Sequence, residues 1–229
     1  YKMSHGLNSL MYLCSPAEKK NNKLIIYHHG HHSNMVSFDF GERTIGFFLS
    51  KGYHVMSMSM PLTWPNNRKM IIDKENPLSA NLDGVQHGAD TAAHNSLGKL
   101  ETSKLCPVKF LIEPVHAALN LLDAEYEFDS YSMLGLSGGG WTTTLCAAMD
   151  DRISQSYSVA GSLPIELRNA DSLGDYEQRH PVLYSIANYL DLYLLGAFGT
   201  NRKCVHVYNL NDSCCFWGRE YERYDSIIT

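Results

Sequence analysis

The chain has 229 residues, of which 44% are hydrophobic and 19% charged, and its formal net charge is −5. This composition can build a full hydrophobic core in one domain over residues 1–229, which excludes a disordered chain and a disulfide-stapled miniprotein. The acidic balance does not attract a polyanion, and no apolar run reaches the roughly 18 residues of a membrane-spanning helix. Neither nucleic acid nor a membrane span is therefore expected.

Short apolar runs alternate with longer amphipathic stretches along the chain, which predicts alternating strands and helices. The predicted strands cover residues 10–14, 24–27, 53–60, 130–136, 154–160 and 203–210. The predicted helices cover residues 38–51, 110–125, 141–149 and 176–198. The polar residues 18–23 predict a hairpin-type link between the first two strands.

Alternation of this kind predicts an α/β fold, with a mostly parallel central sheet and helices on both of its faces. Residues 62–105 are rich in Asn, Asp, Gly and Ser and show little periodicity at first. They are interpreted as a long excursion over the sheet, which would form a partial cap near a site.

The six cysteines are scattered, and only Cys214 and Cys215 are close together in sequence. No Cys-x-x-Cys spacing for a metal is present, and adjacent cysteines rarely form a structural disulfide. Free thiols favour a reducing compartment such as the cytoplasm. The chain begins at Tyr1, and a leader that had been lost would be invisible here.

The run Gly135-Leu136-Ser137-Gly138-Gly139 lies between the predicted strand 130–136 and the predicted helix 141–149. A Gly-x-Ser-x-Gly turn in this context strains the serine backbone and lifts its hydroxyl above the carboxyl end of the sheet. The helix N-terminus beside it favours developing negative charge. A phosphate-binding loop is the alternative, but the Lys of its pattern is missing. Ser137 is therefore predicted to be a catalytic nucleophile.

Four histidines surround Gly30 in the run His28-His29-Gly30-His31-His32, directly after a predicted strand. A His-Gly pair at a strand end can present backbone N–H groups to an oxyanion, so His31 and Gly138 are predicted as the donors. His32 is predicted to contact the substrate. The imidazoles could also bind zinc, but the pattern of the metallohydrolases is only partly present, and no metal is expected.

Asp212 follows the predicted strand 203–210 and comes after Ser137, in the order nucleophile then acid. It is predicted to be the carboxylate that orients a catalytic imidazole. An Asx-turn is the alternative role for an aspartate after a strand. Asp171, Asp175 and Glu166 are weaker candidates for the acid.

With these three motifs, the chain resembles the α/β-hydrolase fold superfamily, in particular bacterial serine hydrolases of the esterase and lipase type. The resemblance runs from about residue 10 to the end: His29-Gly30 matches the oxyanion strand end, Ser137 the nucleophile elbow and Asp212 the acid loop. It implies that Ser137 attacks a small acyl substrate, that His31 and Gly138 hold the oxyanion, and that water clears the acyl-enzyme without a cofactor. Carboxylic esters are the expected substrates, with a peptidase or amidase as the alternative.

The chain departs from this family in its histidines. The last of the eleven is His206, and none follows Asp212, where the family has its general base. Truncation at both ends is the simplest explanation. A non-catalytic binding protein that lost the base is the second, and a base from elsewhere in the chain is the third, with His87, His94 and His180 as the candidates. Because losing a triad member costs orders of magnitude in rate, this chain alone is expected to be nearly inactive.

Aromatic and imidazole side chains near the elbow are candidates for the wall of the substrate site. Trp141 is predicted to bind substrate, and Trp64, His87 and His94 are further candidates. Ordinary packing is the alternative for each of them. A metal-dependent hydrolase built on the histidine run is the remaining functional alternative.

Overall fold

A computed structural model of the chain describes residues 1–18, 21–31, 40–72, 94–169, 173–212 and 214–228. Within these ranges six strands form one sheet in the order β1-β3-β2-β4-β5-β6. The strands are β1 (Met11–Cys14), β2 (Lys23–His28), β3 (His54–Met58), β4 (Ser130–Leu136), β5 (Ile153–Val159) and β6 (Lys203–Val207). All neighbouring pairs are parallel except β1 with β3. The prediction of a mostly parallel sheet is confirmed.

The first strand lies at the edge of the sheet and runs antiparallel to β3, with Met11 opposite Met58. The predicted hairpin-type link between the first two strands is therefore wrong, because β3 lies between them in the sheet. The pairing depends on a strand about 40 residues further along the chain, which local turn signals do not reveal.

The helices follow the strands as crossovers. They are α1 (Phe40–Ser50), α2 (Lys109–Glu125), α3 (Gly138–Met149), α4 (Pro181–Ile186), α5 (Tyr189–Ala197) and α6 (Asp225–Ile228), together with short 3₁₀ turns such as Tyr176–Gln178. No helix among the described residues is long and apolar enough to cross a membrane.

Apolar side chains cover the sheet on both sides. On one side, Leu24 and Met133 pack in a buried cluster with Leu119 of α2 and Ala147 of α3. On the other side, Tyr27, Leu134 and Leu136 line a cleft of about 400 Å³ together with Thr44, Phe47 and Phe48 of α1. This two-sided cover explains why the central run of β2 is apolar without alternation.

The predicted helix 176–198 is wrong as one continuous element. Pro181 occupies the first turn of α4, where its missing N–H costs nothing. Asn188 then caps α5, and its side chain and that of Asp191 form a reciprocal capping box. These local signals divide the stretch into a 3₁₀ turn and two helices.

Two further expectations meet the structure in different ways. Cys214 and Cys215, expected as thiols, are joined in a disulfide. Of the excursion 62–105, residues 73–93 lie outside the described residues, whereas Leu62, Met70 and Leu97 are buried in the same cluster as Trp141. The described part of the excursion therefore packs into the core beside the carboxyl end of the sheet.

Candidate active site

Ser137 lies in the tight turn between β4 and α3. Its backbone has φ 55° and ψ −123°, in the left-handed range that L-residues rarely adopt. Its N–H donates to Val159 O of the neighbouring strand at 2.9 Å, and its carbonyl accepts the N–H of Gly140 at 2.8 Å. Ser137 is therefore held between the sheet and the first turn of the helix, with its side chain half-buried.

Glycines allow β4 and α3 to approach each other at this turn. A Cβ atom at Gly135 would overlap the backbone of Gly139, and one at Gly139 would lie 2.6 Å from His29 O at the end of β2. Such distances exclude any side chain, so the turn depends on both glycines. The tight strand–helix turn and the strained backbone of its serine agree with what the Gly-x-Ser-x-Gly pattern predicts.

The end of β2 lies directly against this turn. A Cβ atom at Gly30 would be 2.8 Å from Ser137 Cβ and 3.5 Å from its Oγ. The ring of His31 lies against Gly138, the first residue of α3, because a Cβ atom there would be 2.7 Å from His31 Nδ1. The structure therefore brings the serine motif and the histidine run together.

His31 continues into a buried cluster of ionisable groups. Its Nε2 lies 3.0 Å from Asp175 Oδ2 and 3.4 Å from Glu177 Oε1. Glu177 Oε1 also lies 2.8 Å from His94 Nδ1. We call His31, His94, Asp175 and Glu177 the buried cluster. All four are buried, and His94 and Glu177 have no exposed surface.

The hydrogen bonds of His94 and its acidic neighbours set the charge of its ring. Its Nε2 donates to Pro61 O at 2.8 Å, and its Nδ1 faces the Glu177 carboxylate. Burial disfavours its charged form, but the carboxylates of Glu177 and Asp175 outweigh this effect and raise the pKa of His94 to about 9. Burial likewise opposes ionisation of Glu177, yet His94 and His31 hold its pKa well below the ordinary value. Burial raises the pKa of Asp175.

The neighbouring histidines of the run have packing roles. His28 Nδ1 lies 3.0 Å from His29 O, and His29 Nε2 lies 3.1 Å from Ser57 Oγ. Burial lowers the pKa of each to about 4, so both are neutral at pH 7. His32, predicted to bind substrate, lies outside the described residues, as does His87.

Asp212 lies in the loop after β6 and is half-buried. Its Oδ1 accepts the backbone N–H of Cys214 at 2.7 Å and of Cys215 at 3.2 Å. This is the turn-capping arrangement of an aspartate, which the sequence offered as the alternative to a catalytic role. Among the described residues, no histidine is hydrogen-bonded to Asp212 or to the Ser137 hydroxyl.

Trp141 lies in the core, which corrects its assignment to the substrate wall. It is 1% exposed, its ring stacks on Tyr189, and its Nε1 donates to Glu177 O at 3.1 Å. It follows Ser137 by one turn of α3 and packs in the apolar cluster that contains Leu62, Met70 and Leu97. His180, a candidate base, caps α4 through its Nδ1 and contacts Glu101.

The buried cluster was only partly visible in the sequence. The sequence predicts Asp175 as a weaker candidate for the acid and His94 as a candidate wall residue or base, and it gives no role to Glu177. The local signal is the pair of acids Asp175 and Glu177, at the start of and within a short 3₁₀ turn. Their partners, His31 and His94, are more than 80 residues away in sequence, and no local pattern joins them.

Comparison with solved structures decides the fold. The ferulic-acid-bound esterase Est1E of Butyrivibrio proteoclasticus matches over 97% of this chain and 82% of its own, with a TM-score of 0.59 and 15% identity. The esterase PF2001 of Pyrococcus furiosus matches over 98% of this chain and 73% of its own, with a TM-score of 0.60 and 12% identity. The chain has the α/β-hydrolase fold.

A third match is to a probable hydrolytic enzyme of Pseudomonas aeruginosa, with a TM-score of 0.44 and 18% identity; it covers 68% of this chain. This chain spans 38% of that enzyme. No protein-family model matches the sequence, and no curated protein matches it either. In this fold Ser137 directly follows β4, which lies between β2 and β5 in the sheet.

Proposed function

We propose that this protein is a serine hydrolase that cleaves acyl bonds, carboxylic esters first, through an acyl-enzyme on Ser137. The observation that carries the proposal is the backbone of Ser137, held at φ 55° between β4 and the N-terminus of α3. Strain of this kind costs about 1–3 kcal/mol and persists where the surrounding structure holds a residue in place for function. The strained backbone of Ser137 is observed, and it supports the proposed catalytic role of this residue.

In the proposed reaction, the Ser137 Oγ adds to the acyl carbonyl and a general base takes the hydroxyl proton. The oxyanion is held by the backbone N–H groups of His31 and Gly138, whose residues lie side by side at the end of β2 and the start of α3. Collapse expels the alcohol, which takes up the proton. Water then cleaves the acyl-enzyme and restores Ser137.

Asp212 is proposed to orient the general base, in the chain order nucleophile then acid. Its half-buried position after β6 supports this role, because β6 is parallel to β5 and ends at the same carboxyl end of the sheet as β4, which Ser137 follows. Its Oδ1 is engaged by two backbone N–H groups, which holds the carboxylate in one orientation.

Esters are preferred over amides in this proposal because the two neighbours that superpose over almost the whole chain are described as esterases. No residue here discriminates an ester from an amide, since both pass through the same tetrahedral intermediate. The proposal therefore names the acyl carbonyl as the reacting group and carboxylic esters as the first substrates to test.

The experiment uses protein expressed from the complete coding sequence and short-chain and long-chain p-nitrophenyl esters. We expect turnover that Ser137→Ala abolishes and that Ser185→Ala leaves unchanged, since the Ser185 hydroxyl is exposed and donates to Val182 O of its own helix. Hydrolysis of anilides at a comparable rate would favour the amidase. Turnover that survives Ser137→Ala would contradict the proposal.

A further inference from the structure

The proposed acyl chemistry gives no role to the side chains of the buried cluster. The cluster joins His31, beside Gly138, to His94, which lies in the excursion, and to Asp175 and Glu177 in the segment after β5. One ligand atom each from His31, His94 and Glu177 lies within 4.8 Å of the others, and all three residues are buried. Two imidazoles and a carboxylate at this spacing form the donor set of a zinc site.

Two atoms of the cluster lack a hydrogen-bond partner among the described residues. His31 Nε2 lies 3.0 Å from Asp175 Oδ2 but is not aligned to bond it, and Glu177 Oε2 is also without a partner. Leaving a buried polar atom unsatisfied costs about 1–3 kcal/mol. His31 Nε2 faces the carboxylate oxygens Asp175 Oδ2 and Glu177 Oε1, so a cation bound between them would satisfy this nitrogen.

The distances between His31, His94 and Glu177 suit a small cation. Tetrahedral Zn²⁺ with bonds of about 2.0–2.2 Å separates its ligand atoms by about 3.4 Å. The corresponding separations are 2.8 Å from His94 Nδ1 to Glu177 Oε1 and 3.4 Å from Glu177 Oε1 to His31 Nε2, and the three ligand atoms all lie within 4.8 Å of one another.

The outer contact of His94 also matches a metal ligand. Histidines that bind metals donate their second ring N–H to a carboxylate or a backbone carbonyl, which fixes the tautomer. His94 Nε2 donates to Pro61 O at 2.8 Å, which leaves Nδ1 directed toward the cluster. Coordination replaces the proton on Nδ1 with the metal and leaves this hydrogen bond unchanged.

We propose that His31 Nε2, His94 Nδ1 and Glu177 bind one zinc ion, with the Asp175 carboxylate beside them, 3.0 Å from His31 Nε2. The ion ties the end of β2 to the excursion and to the segment after β5. Because His31 packs on Gly138, the ion fixes the position of the backbone beside Ser137. This inference departs from the expectation of no metal.

The test measures metal content by mass spectrometry on protein purified without a polyhistidine tag from zinc-supplemented medium. We expect about one zinc per chain. Glu177→Gln and His94→Gln should each weaken zinc binding by more than the about 10–100-fold that loss of an outer contact costs. The matched control is His116→Gln, because His116 also faces an acid, Asp150, but is 58% exposed and outside the cluster. It should keep its zinc.

A second measurement on the unmutated chain covers the case in which those variants do not fold. Protein stripped by a chelator is titrated with Co²⁺, and we expect the intense visible absorption of tetrahedral cobalt, removed again by one equivalent of Zn²⁺. We also expect the added zinc to raise the Tm. A folded chain that takes up neither ion, or one in which Glu177→Gln and His94→Gln keep full zinc, would overturn the proposal. None of these readouts depends on hydrolytic activity.

Discussion

Replacing Gly135 by alanine tests the packing of the turn between β4 and α3. Gly135 is the sixth residue of β4, and a Cβ atom added there would overlap the carbonyl carbon and oxygen of Gly139 and the Oγ1 of Thr143. The first two atoms belong to the backbone of α3 and cannot rotate away. Relief therefore requires the helix to move away from the strand.

The expected cost follows from this geometry. Overpacking a well-packed core costs about 1–3 kcal/mol, occasionally more, and the upper end applies here because backbone and not a flexible side chain is struck. For a chain of this length, each kcal/mol lowers the Tm by about 2–4 °C. Gly135→Ala should therefore lose about 3 kcal/mol of the free energy of unfolding and about 6–12 °C in Tm.

The assay is urea unfolding followed by circular dichroism, with Gly46→Ala as the matched control. Gly46 is exposed within α1, and a Cβ atom there meets nothing within 4 Å. Alanine is the better helix former, so this variant should gain about 0.5–1 kcal/mol. The two identical substitutions should therefore change stability in opposite directions. A Gly135→Ala protein as stable as the unmutated one would refute the close approach of β4 and α3.

Three further predictions concern strain, burial and a buried ion pair. Ser137→Gly should be about 1–2 kcal/mol more stable than Ser137→Ala in urea unfolding, because glycine adopts φ 55° without strain; equal stabilities would mean that the turn is not strained. His28 is 2% exposed, and burial lowers its pKa to about 4, below the pKa of a histidine in the unfolded chain. The free energy of unfolding should therefore fall by about 3 kcal/mol as the pH drops from about 6.5 to 4. His28→Asn should lessen this fall, and an unchanged pH profile of stability in the variant would contradict the prediction. Arg152→Met removes two hydrogen bonds from the nearly buried Asp150 and should cost about 1–3 kcal/mol, whereas Arg219→Met, in an exposed pair with Glu222, should change stability by less than about 1 kcal/mol; equal losses in the two variants would show that burial of Asp150 does not matter.

Local patterns were sufficient for the strands and for the elbow. The bounds of β4 agree with the prediction because an apolar strand, a glycine turn and a helix follow one another within 20 residues. The sequence also carries signals for the division of residues 176–198, namely Pro181 at one helix start and the capping pair Asn188 and Asp191 at the next. The continuous apolar composition of the stretch favoured one long helix instead.

Long-range pairing could not be predicted in the same way. The antiparallel contact of β1 with β3 depends on the order of strands in the sheet, which turn residues do not specify. The buried cluster joins residues from three separate parts of the chain, and each of them alone has an ordinary explanation. For Trp141, closeness in sequence was misleading. It follows Ser137 by four residues, which suggested a wall residue of the substrate site, but its side chain is buried in the core.

The central claim is that Ser137 is a nucleophile, and covalent labelling tests it most directly. Protein from the complete coding sequence is incubated with a fluorophosphonate probe, digested and mapped by mass spectrometry. The account predicts an adduct on the peptide that carries Ser137, absent after heat denaturation and absent in Ser137→Ala. A folded protein that remains unlabelled, or one labelled equally in Ser137→Ala, would contradict it and would favour a binding protein on this fold.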